Sequence, residues 1–137
     1  MFGFGKRRSY DDIIQSIRDK RRNHGEASLT TAERRLYEGH LFEAYFYHQG
    51  GFDYYFAHTD GVEQWAQANG ALIAIGRDAD LSPIFHDAVK LHLEFVDSNP
   101  DEEDTKAYLT KIKQIDARFR AALPDLETPL RQLARQL

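Results

Sequence analysis

The residues Leu36 to Tyr47, LYEGHLFEAYFY, limit most tightly what this chain can fold into. Coiled as a helix, they place Leu36, Tyr37, Leu41, Phe42, Ala44, Tyr45, Phe46 and Tyr47 nearly all the way round the axis. A helix with so little polar face has to be enclosed by others. Thr30 and Glu33 precede it at capping-box spacing, and Gly50 and Gly51 follow it. Those glycines accept the left-handed turn of a helix stop. The expectation is a central helix over about 30–49.

The rest of the chain carries helical punctuation as well. Ser9 caps a segment with Asp11 and Asp12 in its first turn, an Ile13, Ile14, Ile17 stripe and a stop at Gly25. GFDYYFAHTDG is too short for a full helix, and VEQWAQANGALIAIG stops at Gly76. Ser82–Pro83 and Asn99–Pro100 read as two further helix starts, and Thr128–Pro129 as a last one. Ile84, Ala88, Leu91 and Phe95 share one face. Tyr108, Leu109, Ile112, Ile115, Phe119 and Leu123 mark another buried stripe. No strand, repeat or low-complexity linker stands out. The expected fold is all-α: a single domain of residues 1–137 with six or seven helices. A basic N-terminal region (1–28), a core (29–96) and C-terminal helices with an acidic start (97–137) make it up.

Composition excludes several classes. There are no cysteines, hence no disulfide framework, thiolate metal site or cysteine nucleophile, which fits a reducing cytoplasm. No apolar run is long enough for a membrane span, and the start MFGFGKRRSY does not have the order of a secretory signal. GFGKRRS resembles a phosphate loop only superficially, since no strand precedes it. Residues 1–35 hold nine Lys/Arg and five Asp/Glu, whereas residues 36–137 hold nine and seventeen. That asymmetry reads either as a solvated surface with a basic first helix, or as an acidic body that meets a basic partner. The basic KRRS and RDKRRNH segments come without a helix-turn-helix, so direct nucleic-acid binding is not expected.

Chemistry-bearing residues are sparse. The histidines are His24, His40, His48, His58, His86 and His92. His40 and Glu43 have a ligand-like spacing without a second matching pair, and His86 and His92 fall on different faces, so neither metal nor cofactor is expected. A His40–Glu43 proton-transfer pair, joined by His58 in a pocket, is the enzymatic alternative. The acidic run DSNPDEED supplies Asp97, Asp101, Glu102, Glu103 and Asp104. It favours a helix start on dipole grounds, and a string of exposed carboxylates can also imitate nucleic-acid phosphates.

The order of residues from LTTAERRLYEGHLFEAYFYHQGGFDYYFAHTDG to ALIAIGRDADLSPIFHDAVKL resembles the bacterial DNA-mimic protein domain family. Gly50, Gly51, Phe52, Tyr55, Phe56 and Gly61 match its Gly-Gly-Phe-x-x-Tyr/Phe-Phe pattern, and Ile75–Gly76 a later step. The likeness covers roughly residues 29–96. Gln49, Tyr54 and His58–Thr59 depart from it, standing where the family has Asn, Gln and Asn–Ser. The resemblance implies an all-α fold. It also implies an acidic surface that binds a transcription factor or nucleoid protein, often from a homodimer. Other members look like immunity proteins set against a toxin. Physically, Phe52, Tyr55 and Phe56 share one helical face, and their expected role is mainly structural.

Overall fold

A computed structural model describes residues 8–137. The expectations resting on the leading residues, including most of GFGKRRS, lie outside the described part. Seven α-helices follow in order: α1 (Tyr10–His24), α2 (Thr31–Tyr45), α3 (Gly51–Ala57), α4 (Val62–Ala74), α5 (Asp78–Asp97), α6 (Glu102–Ala122) and α7 (Glu127–Ala134). A 3-10 turn spans Glu26–Ser28, and no strand occurs among the described residues. The fold is all-α. No described helix is long and apolar enough to cross a membrane.

A side-chain cap explains three of the seven helix starts, those of α1, α2 and α6. The Ser9 hydroxyl accepts the Asp12 N–H at 3.1 Å. Thr30 and Glu33 close a reciprocal capping box, with bonds of 3.0 and 2.9 Å. The first helix lies on the body, because Ile13, Ile14 and Ile17 are buried and α1 packs on α2 and α7. Much of its basic charge is neutralised nearby: Lys20 pairs with Glu33, Arg21 with Glu26 and Arg22 with Asp19.

Helix α2 is the centre and touches α1, α3, α4 and α7. Gly39 lets α4 and α7 come close. A methyl there would stand 2.7 Å from Ala71 Cβ and 2.9 Å from Leu130 Cδ2. At the C-terminal end of α2, Phe42 and Phe46 join Phe52, Phe85 and Phe119, all at most 1% exposed. Their ring centroids stand 4.8–5.7 Å apart in the recorded pairs, most of them tilted or edge-to-face. Such pairs add about 0.5–1.5 kcal/mol each beyond area burial.

Three expectations need correction. Helix α5 begins at Asp78 and not at Ser82–Pro83. The Arg77 side chain fixes that earlier start by bonding Asp80 at 2.6 Å and the Ala122 carbonyl at 2.8 Å. Pro83 then sits early in the helix, where its missing N–H releases only the carbonyl of the exposed Ala79. Ser82 is buried and donates to Asn69 Oδ1 at 2.7 Å. The cap of α6 is Asp101, with Asn99 in a left-handed turn at φ 51° before it. The segment after Gly50, expected to be too short, forms the two-turn helix α3 because α6 supplies its missing partner, as follows.

Candidate functional site

The aromatic stretch His48 to Gly61 is built on a change of helical pitch. After α2, residues Phe46–Gly50 widen into a π turn, in which the Gly51 N–H bonds the Phe46 carbonyl. Gly51 then takes φ 71° and ψ −159°, a conformation essentially confined to glycine. Its Cα is also crowded. A methyl there would lie 2.6 Å from Cγ of Asp116 on α6. That carboxylate accepts the Phe52 N–H at 3.0 Å, supplying a partner for the otherwise orphaned start of α3. Burial holds the Asp116 pKa above the usual carboxylate range, while the Phe52 bond pulls it back. Arg120 closes the other side by donating to the Phe46 carbonyl at 2.7 Å.

Gly51, Phe52, Tyr55 and Phe56 are all buried, whereas Gly50 is exposed. The three aromatic side chains fill the core as expected. Thr59 is a structural joint: its hydroxyl donates to the Tyr55 carbonyl at 2.6 Å and accepts the Trp65 indole N–H at 2.7 Å. His58 stacks on Tyr54 at 3.9 Å between ring centroids, and its Nδ1 lies 2.8 Å from the Tyr54 carbonyl. Tyr54, His58 and Thr59 therefore brace the corner between α3 and α4.

The His40–Glu43 pair does not form. His40 Nδ1 stands 3.0 Å from the Tyr10 hydroxyl, and Glu43 reaches His48 Nε2 at 2.8 Å. Helix α1 covers one face of α2 and gives His40 a nearer partner. His92 bonds Tyr108 at 3.0 Å and packs against the rings of Phe56 and Trp65. Among the described residues no three His or carboxylate groups converge as metal ligands.

Burial lowers the pKa of both His40 and His92, because it disfavours the charged ring. A depressed histidine contributes stability above its unfolded value of about 6.5, and loses it as pH falls through the lower folded value. Glu38 and Asp116, both raised by burial, act oppositely: their destabilisation at neutral pH is relieved as pH falls through their raised values. The melting temperature is expected to start falling just below pH 6.5. The His40→Asn and His92→Asn variants should each show a shallower decline. Unchanged slopes in both would remove this account.

The acidic run occupies the α5–α6 corner. Asp97 ends α5, and Asp101, Glu102, Glu103 and Asp104 are exposed at the start of α6. Two of the five are already engaged: Asp101 Oδ1 accepts the Asp104 N–H at 2.8 Å, and Asp104 Oδ2 the Asp101 N–H at 3.2 Å. Glu103 stands 3.8 Å from Lys106 in an exposed pair. Phe95 stacks on Tyr108 at 4.1 Å and pins the two helices together, leaving Val96 47% exposed beside the carboxylates.

Two surface hollows complete the description. One, of about 840 Å³, lies between Ser9–Ile13 and the end of α7, with Arg8, Arg131 and Arg135 in its wall. The other, of about 490 Å³, lies over Glu38. Neither is lined by His40, Glu43 or His58. Sequence reasoning passed over Glu38 and Asp116. Each has two apolar and two basic residues three or four positions away, Leu41, Phe42, Arg34 and Arg35 for Glu38 and Ile112, Phe119, Lys113 and Arg120 for Asp116, so no local pattern singles them out. Comparison with protein families, curated proteins and solved structures found no match to the chain.

Proposed function

We propose that this chain is a non-enzymatic protein-binding module whose acidic α5–α6 corner occupies the basic, DNA-binding surface of a partner. One observation carries the reading. Between Glu94 and Asp104 there are six carboxylates and no basic residue, at a corner where Phe95 of α5 stacks on Tyr108 of α6. Exposed Val96 offers an apolar contact within this array. Asp97, Glu102 and Glu103 are the carboxylates outside the capping box. Asp101 and Asp104 contribute charge while also holding the helix start.

The test is capture on the immobilised chain, followed by competition with duplex DNA and a salt series. The expected partner is a basic DNA-binding protein, displaced by DNA and released steeply as salt rises. In the Asp97→Asn/Glu102→Gln/Glu103→Gln variant, three exposed contacts at ~0.5 kcal/mol each amount to about a tenfold loss of affinity. The variant leaves the capping box intact. A captured protein indifferent to DNA and to these substitutions would end the mimicry reading. If that protein were a toxin held through high salt, the chain would be its inhibitor.

A further inference from the structure

The larger hollow, of about 840 Å³, has Arg8, Arg131 and Arg135 in its wall and no acidic side chain among its described lining residues. Arg131 lies over the Tyr10 ring, 4.8 Å from its centroid, and pairs with Glu127 at 2.9 Å. Arg8 and Arg135 enter no ion pair among the described residues. Ile13 and Leu137 share the wall, and Leu137 is 50% exposed. Such a surface fits an occupant that brings carboxylates and an apolar side chain together.

The α5–α6 corner has that composition. Its six carboxylates are exposed, and Val96 is 47% exposed among them. Four large apolar side chains are exposed among the described residues: one, Val96, lies in the acidic corner and another, Leu137, in the basic hollow. The two surfaces belong to different parts of the fold. Helices α1 and α7 pack on each other and on α2, whereas α5 and α6 pack on each other and on α3 and α4. Among the described residues no carboxylate of the corner pairs with an arginine of the hollow in the same chain. Both surfaces are thus left to meet a different molecule.

We propose that the hollow is a docking site for the acidic α5–α6 corner of a second copy of this chain, with carboxylates meeting Arg8, Arg131 and Arg135 and Val96 meeting Leu137. The contact is heterologous: each chain gives its corner to one neighbour and its hollow to another. Association therefore continues beyond two chains, into a ring or an open row. The inference rests on the same corner as the proposed function. A corner seated in a neighbour's hollow is closed to any other basic partner, so self-association and capture of that partner exclude one another there.

The experiment is sedimentation velocity of the purified full chain alone, in a concentration series up to about 1 mM. The series is run at ~0.01 M and at ~1 M salt, between which the screening length shortens from about 30 Å to about 3 Å. At low salt the average mass should climb with concentration past two chains, and at high salt it should return to one. Asp97→Lys/Glu103→Lys and Arg8→Glu/Arg135→Glu reverse exposed charges and spare Asp101 and Asp104, which cap α6. Either variant should weaken self-association by about tenfold or more. Mixing the two should restore it, because the reversed corner of one then meets the reversed hollow of the other. The parent chain's concentration and salt series decides the matter if either variant is poorly folded. A parent that stays single at low salt, a mass that stops at two chains, association that persists at high salt, or a mixture of folded variants no better than its components would overturn the proposal. The sample holds only this chain, so that failure leaves the reading of a DNA-binding partner standing, and loss of that reading leaves this result unaffected.

Discussion

Phe52→Ala is expected to destabilise the protein by about 3–5 kcal/mol, the usual range for a fully enclosed phenylalanine. Phe52 is 0% exposed and meets the rings of Phe42, Phe46, Phe56, Phe85 and Phe119. Those rings belong to α2, the π turn, α3, α5 and α6, so the cavity would open where most of the fold converges. The surrounding helices are tied to one another and cannot collapse freely into the gap. The melting temperature should fall by roughly 10 °C, given about 3 °C per kcal/mol for a chain of this size. Chemical denaturation should show a lower midpoint with a similar slope. A melting temperature within a degree or two of the parent would mean that Phe52 is not at the centre of the core.

Gly51→Ala is expected to cost about 3 kcal/mol or more, for two separable reasons. The backbone at φ 71° and ψ −159° is strained for any residue with a Cβ, at about 1–3 kcal/mol. The added methyl would also press on the Asp116 carboxylate, and moving that carboxylate removes the acceptor of the Phe52 N–H. A double-mutant cycle separates the two. Asp116→Ala alone orphans the Phe52 N–H, at about 1–3 kcal/mol. Once that carboxylate is gone, the methyl at residue 51 has less to displace, so the double variant should lose less than the sum of the single losses. Strict additivity would show that Gly51 and Asp116 do not meet.

Much of the architecture could be read directly. The Ser9 cap, the Thr30–Glu33 box and the break near Gly51 depend on residues within about four positions of one another, and each stands where expected. Phe52, Tyr55 and Phe56 are buried because i, i+3 and i+4 share a face. Misplaced starts came from ranking one local signal above another. Ser82–Pro83 looked like a start, but Arg77 fixes an earlier one through the Ala122 carbonyl, 45 positions away in sequence. Asn99–Pro100 looked like another, but Asp101 and Asp104 cap each other and claim it.

The candidate sites were less legible. The acids of the α5–α6 corner were visible as a run, but their division of labour was not: Asp101 and Asp104 bond backbone, while Asp97, Glu102 and Glu103 lie outside the capping box. His40 and Glu43 have suitable spacing on one helix, yet their partners are Tyr10, thirty positions back, and His48, five positions on. Glu38 gave no motif at all. Its cleft exists because α4 brings Gln64 across α2.

The sequence by itself determined an all-α chain, an enclosed central helix and an aromatic turn at Gly50–Gly51, since each follows from periodicity and from backbone chemistry within a few residues. Only the tertiary structure decided that Asp116 completes the start of α3 from 64 positions away, that His40 faces Tyr10, and that Glu38 lines a cleft. Those outcomes depend on which helix faces meet. Close packing sets that geometry through side-chain volumes summed over the whole core, and no local pattern in the chain encodes it.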